Sequence, residues 1–397
     1  MKFINKIINK IIQSLLTISG WFASLIIILM ILFLFKEGLG LFNSSVIEKG
    51  YVLCVNDLNS VKKMTQKQLK LVFDSEITNW KELNGMDAEI MLFRLDNVFD
   101  YYSEEELGEN YEYLPEKLGE IIRNNINIIA FIPREYLPKK NVFVLDFGNI
   151  KFNDFIKGTE WIPTATPAPF FGVMPLILGT LVVSLVAILI ALPFGIGVAI
   201  YLAEIASSRI HKFLKPLIEL LAGIPSVVYG FFGLVVVVPF VQKVFNLPVG
   251  ETALAGSLVL AIMALPTIIT IAEDSIRNTP ISMKEASLAL GGTHWQTIYR
   301  VIIPYSSSGI LAAIILGIGR AIGETMAVLM VTGNSAVIPR SIFEPIRTIP
   351  ATIAAELGEA PIGGSHYQAL FALGCILFLL TLLGSILVEI INKNKKI

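Results

Sequence analysis

Arg320 and Glu324 stand four residues apart in GIGRAIGETMAVLMVTGN, inside a long apolar stretch. If that stretch is one helix, both side chains share a face. An ionisable group in hydrocarbon is costly, so the two must face the protein interior or an aqueous path. A guanidinium presents its N–H donors in a planar fork that suits phosphate oxygens. Glu324 then either holds Arg320 in place or accepts a hydrogen bond from a protonated oxyanion. The plainer alternative is an Arg–Glu pair that only fixes helix register against a neighbouring subunit. Gly317, Gly319 and Gly323 would let another helix approach this face closely.

A second stretch, Glu285 to Pro304 (EASLALGGTHWQTIYRVIIP), is polar and helix-forming between two apolar spans. Pro280 limits what precedes it, Ser282 is placed to cap, and Glu285 follows three residues later in capping-box register. Gly291 and Gly292 supply the left-handed conformation that ends a helix, and Pro304 marks the next span. A compact helix–turn–helix on the surface of a membrane protein is suited to receiving force from a soluble engine. No G-x4-G-K-[ST] phosphate loop occurs in the chain, so a nucleotide driving it would be bound by another polypeptide. His211, His294 and His366 are scattered without metal-ligand spacing. Cys54 lies in a polar segment and Cys375 in an apolar one. No metal, cofactor or disulfide is expected.

These residues need a membrane scaffold. Apolar residues make up 54% of the chain and charged ones 16%, with a net charge of -1, which argues against nucleic acid as a partner and for lipid. Six segments are long enough to cross a bilayer, near 13–35, 174–203, 217–241, 252–273, 305–333 and 368–391. The first follows Lys2, Lys6 and Lys10, but its apolar run from Leu15 to Phe35 is too long for a signal peptide and reads as a retained anchor. In the third, Gly223 and Pro225 mark either a packing kink or a gate-lining bend. Basic residues gather at the amino terminus, at Arg209, Lys212 and Lys215, at Arg277, Lys284 and Arg300, and at Lys393, Lys395 and Lys396. The positive-inside rule then places both termini and the Glu285–Pro304 loop in the cytoplasm.

Residues 45–160 are too long and too charged for a simple loop, and read as a small external domain. Short β-rich pieces (EIMLFRL, INIIAFIP, NVFVLDF) separated by helical patterns suggest α/β. The fold class is therefore an α-helical polytopic membrane protein of six spans with a small α/β external domain.

The Glu285–Pro304 spacing resembles the EAA loop of bacterial ABC-importer permeases, EAA-x3-G-x9-I-x-LP. Glu285-Ala286, Gly291 and Pro304 match, while Ser287, Val301 and Ile303 replace the third, Ile and Leu positions. Together with LFKEGL, WIPTATPAPFFGVMPLILGTL, PFGIGVAIYLAEIA, ELLAGIPSVVYGFFGLVVVVP and GIGRAIGETMAVLMVTGN, it makes the chain resemble the PstC-type permease subunit of phosphate ABC importers. The resemblance implies an anchor over 1–44, a five-helix permease core over 161–397 with its coupling loop at 280–304, and a bacterial cell membrane. It also implies a second, PstA-type permease, two copies of an ATP-binding subunit and an external phosphate-binding protein, with inorganic phosphate as cargo. Such a chain is not itself an enzyme. Glu285, Ala286, Gly291 and Pro304 would engage the ATPase, and Arg320 and Glu324 would line the path.

MTQKQLKLVFDSEITNWKELNGMDAEIMLFRLD and INIIAFIPREYLPKKNVFVLDFG resemble parts of periplasmic phosphate-binding proteins. Those usually follow the strand's arginine with a Ser-Gly-Thr turn that cradles the anion, whereas Arg94 is followed by Leu95-Asp96-Asn97-Val98. The expectation is a domain that no longer holds phosphate and instead docks the binding protein or covers the external mouth. Alternatives are a permease for molybdate or sulfate, a membrane sensor, or a transporter without an ATPase.

Overall fold

The structure is a computed structural model that describes residues 2–393. Lys395 and Lys396 of the basic tail lie outside the described residues. The chain divides into two units, one running to Gly172 with Ala360–Ala372, the other comprising Val173–Glu359 and continuing from Leu373.

The first unit opens on α1 (Lys2–Gly40), which carries a candidate span, Ile12–Asn43. A four-stranded sheet follows, built from β1 (Tyr51–Asn56), β2 (Met91–Arg94), β3 (Ile128–Pro133) and β4 (Val142–Val144) in the order β2-β3-β1-β4. β1 pairs antiparallel with β3 and β4, and β2 runs parallel to β3. Side-chain alternation explains why β1 and β3 read as almost unbroken apolar runs. Leu53, Val55, Ile129 and Phe131 point to one face, where they pack with Leu69 and Val72 of α2 (Gln66–Phe73) and with Trp80. Val52, Cys54, Ile128, Ala130 and Ile132 point to the other, against Leu118, Ile121 and Ile122 of α3 (Leu114–Asn124). Thr65 starts α2 with a capping box to Gln68. The Trp80 indole, fully buried, donates to the Asn127 carbonyl at 2.7 Å.

Cys54 is among these core residues and forms no disulfide. Burial pushes the Cys54 thiol up to about 12, so the reactive thiolate is scarce at neutral pH. Peptide mass spectrometry after iodoacetamide treatment should find Cys54 unmodified in the native protein and fully modified in denaturant; equal labelling in both would contradict this packing.

The second unit is helical. In chain order it contains α4 (Met174–Ile200), α5 (Ser208–Ala222), α6 (Ser226–Phe232), α7 (Val238–Phe245), α8 (Ala253–Arg277), α9 (Ile281–Ala289), α10 (His294–Thr297), α11 (Ser307–Gly323) and α12 (Met326–Val331). The last helix, α13 (Ser365–Lys393), is divided between the units. Helices long and apolar enough to cross a bilayer lie at Met174–Ile205, Ser226–Phe245, Ala253–Arg277 and Ser365–Ile390; with Ile12–Asn43 that makes five among the described residues. A pair bent by 68°, His294–Tyr305 and Ser307–Gly323, counts as a sixth.

α8 is the centre. Ala253, Ala255, Gly256, Ser257, Ala261 and Ala264 are all buried and small enough for α4 and α12 to approach its backbone. The Ser257 hydroxyl donates to the Ala253 carbonyl of its own helix at 2.7 Å and lies 3.2 Å from the Val183 carbonyl of α4.

Two expected spans are cut differently. The third does not run through 217–241: Gly223–Pro225 ends α5 outright, and the span is Ser226–Phe245. The fifth does not continue to 333, because α11 stops at Gly323 and a separate α12 begins at Met326. At the first break Pro225 clashes with a continuing helix behind it, and at the second Glu324 is already extended.

Candidate functional site

The seating of α11 decides where Arg320 goes. Ser306, just before the helix, is buried; its carbonyl accepts from the Ser275 hydroxyl at 3.2 Å, and its hydroxyl lies 3.1 Å from that of Thr279. Gly309 then crosses Ser275 so closely that any Cβ would collide with that side chain, and at Gly317 a Cβ would stand 2.9 Å from Ile268. These contacts fix α11 against α8. Arg320 Nη1 consequently reaches across to donate to Thr267 Oγ1 of α8 at 3.0 Å. The guanidinium is half-buried and has no carboxylate within 4.0 Å among the described residues.

Glu324 does not share a helix face with it. The residue is extended (φ -68°, ψ 132°), one position past the end of α11. Its Oε1 accepts from the Ala327 N–H at 3.3 Å, so the carboxylate caps α12, where the helix dipole favours an anion. Arg320 is thereby left with a neutral partner and spare donors. Of the three glycines on this segment, Gly317 receives a neighbouring helix, whereas a Cβ at Gly319 or Gly323 would meet nothing within 4 Å.

The polar loop forms the expected helix–turn–helix with different caps. Pro280 occupies the N-cap of α9 and Ser282 lies inside the helix without capping it, so the Ser282–Glu285 box is not made. The box occurs at the second helix, where Thr293 and Gln296 cap α10 reciprocally. Gly291 takes the left-handed conformation (φ +84°), while Gly292 does not. A 2.9 Å hydrogen bond between Ser287 and Thr297 hydroxyls ties the two arms together. Glu285, Ala286 and Gly291 are exposed, as is Pro304. Leu290 is 90% exposed beside a groove of about 520 Å³ lined by Met283, Ala286, Gln296 and Arg300. Leu290 thus stands as an apolar tip on the turn between the two arms.

The loop is rooted in the spans. Lys284 Nζ meets the nearly buried Glu204 carboxylate, just past α4 at the end of the span Met174–Ile205, at 2.6 Å. Ile298 and Ile302 pack in one cluster with Ala199 of α4, Ala272 and Ile276 of α8, and Ile310 of α11. The loop and the helix that carries Arg320 therefore share one packed cluster.

One group was missed from sequence. Glu273, 1% exposed at the end of α8, binds Lys215 Nζ at 2.5 Å and lies 2.7 Å from His211 Nε2 and 3.4 Å from Arg277 Nη1. Lys215 also reaches Asp274 at 3.1 Å. Burial alone would lower the Lys215 ammonium, but hydrogen bonds to the two carboxylates outweigh it and hold the group above its ordinary value. The available signal was the acidic pair Glu273-Asp274 closing an apolar run four residues before Arg277.

Residues 191–397 match the profile of the binding-protein-dependent transport system inner membrane component. The chain belongs to this family. The permease is 40% identical over 244 residues to "Probable ABC transporter permease protein YqgH" of Bacillus subtilis (strain 168), covering 62% of this chain and 79% of the other. It is also 40% identical over 248 residues to "Phosphate transport system permease protein PstC" of Mesorhizobium japonicum, covering 58% and 75%. A chain of the solved MetNI methionine ABC transporter covers 55% of the permease and 94% of itself at 18% identity, with a TM-score of 0.44. The permease is thus a multi-pass membrane transport component.

Proposed function

We propose that this permease, of the PstC type, forms with a second, PstA-type permease the path by which inorganic phosphate enters a bacterial cell. Phosphate arrives from an external binding protein, and two copies of a separate ATP-binding subunit supply the energy, so the chain itself makes and breaks no bonds. The observation that carries the cargo reading is Arg320: a half-buried guanidinium on a span with one neutral partner and unspent donors. Similarity to PstC points to the same anion. Glu324 contributes by shaping the break beside Arg320, and the open faces of Gly319 and Gly323 suit the second permease.

The proposed orientation keeps both termini and the 280–304 loop cytoplasmic, with Glu285, Ala286, Gly291 and Pro304 on the ATPase side. Residues 1–44 anchor the chain, 45–160 form the external domain, and 161–397 the transport core. Arg94 supports an external domain without a phosphate cradle, since Asn97 accepts its backbone N–H at 2.9 Å and Leu95–Asp100 form a tight helical turn there.

The complete importer in proteoliposomes should accumulate phosphate, and not molybdate or sulfate, only when ATP and the ATPase are supplied. Leu290→Asp should cut ATPase association at least about 30-fold, the loss of one interface anchor. Uptake without ATPase, or preference for another oxyanion, would overturn the proposal.

A further inference from the structure

Between the spans Met174–Ile205 and Ser226–Phe245 the chain spends 15 residues on α5. Ser207 starts this helix by accepting the Ile210 N–H, and Gly223–Pro225 ends it. Joined to the span that follows, α5 would make a rod of roughly 57 Å at 1.5 Å per residue, against about 30 Å of hydrocarbon. It is therefore no extension of that span.

Helical periodicity divides α5 into three strips. His211, Leu214, Lys215 and Ile218 form the least exposed one. Its His211 and Lys215 are the groups held by Glu273 of α8, so they are already engaged. Ile210, Phe213, Leu217 and Leu220 form the second, 41%, 67%, 43% and 68% exposed. The third carries Lys212 and Glu219, with Arg209 between it and the apolar strip. An apolar strip on one flank, charges on another and both ends continuous with membrane-crossing helices describe a helix at the lipid–water boundary.

We propose that α5 lies in the plane of the membrane surface as a lipid-binding helix. The Ile210–Phe213–Leu217–Leu220 strip enters the acyl boundary, and Arg209 and Lys212 sit on anionic headgroups. Both cations fall in the first turns of the helix, so headgroup attraction concentrates at that end. The proposal rests on membership of the permease family and is independent of the cargo.

The test uses the full-length permease in vesicles of phosphatidylcholine and phosphatidylglycerol. Leu220→Cys, and separately Phe213→Cys, carries an environment-sensitive fluorophore in a Cys375→Ser background, Cys54 being shielded in the core. Lipids with a nitroxide near the headgroup should quench at least about twice as strongly as aqueous iodide or lipids with a nitroxide deep in the tail. Shallow quenching should rise with phosphatidylglycerol, and Arg209→Gln/Lys212→Gln should abolish that rise. Dominant quenching by iodide or by the deep nitroxide would overturn the placement. Protection from all quenchers once the companion permease is added would assign the strip to protein instead of lipid. A rise that survives the double substitution would remove Arg209 and Lys212 from headgroup binding.

Discussion

Arg320→Gln should lower ATP-driven phosphate uptake about 10- to 100-fold while leaving assembly and stimulated ATP hydrolysis intact. Hydrogen bonds to a charged group contribute about 1.5–3 kcal/mol, and each 1.4 kcal/mol is tenfold. Structure gives little reason for collateral damage. The guanidinium has no carboxylate to orphan among the described residues, and Thr267, its one hydrogen-bond partner, can donate its hydroxyl within its own helix. Arg320→Lys should fall between, keeping the charge but losing the fork. Thr267→Val should have a smaller effect, since it releases the side chain without removing it. Radiolabelled uptake measured beside ATPase rate separates these cases. Wild-type uptake by Arg320→Gln would remove Arg320 from the path.

The second large effect concerns stability. Glu273→Ala should destabilise the permease by about 3–5 kcal/mol, the cost of leaving buried charges uncompensated. Lys215 would suffer most, being largely shielded, held by Glu273 at 2.5 Å and left only the exposed Asp274 at 3.1 Å. A group held above its ordinary pKa contributes its stability fully below the unfolded value and loses it only as pH rises through the folded one. For Lys215 that window lies in strong alkali, so its share of the deficit should be the same at pH 6 and pH 8. Thermal unfolding of the purified permease would show it as a drop of roughly 10 °C. A drop of only a degree would mean that solvent already screens the cluster.

Much of this arrangement was legible beforehand, for local reasons. Apolar length sets the spans, Gly291 takes the left-handed turn that its position after α9 demands, and the β-rich piece INIIAFIP supplies β3. What sequence missed depends on partners distant in the chain or on close competitors. Glu273 finds Lys215 and His211 58 and 62 residues away, a pairing that no spacing reveals. Ser282 and Thr293 are equally good capping residues, but Pro280 already occupies the N-cap of α9 while Thr293 stands immediately before α10. Arg320 and Glu324 looked like an i,i+4 pair because Gly323 between them gives no sign, by itself, that the helix stops there.

The 68° bend at Ser306 also sets a mechanical ratio. From that joint Arg320 lies 14 residues along a straight helix, a lever of about 21 Å at 1.5 Å per residue. Rotating the lever by about 10° would carry the guanidinium some 4 Å, more than the length of the bond that holds it to Thr267. If Arg320 lines the proposed path, a rotation of that size at the joint would be enough to part the charge from Thr267.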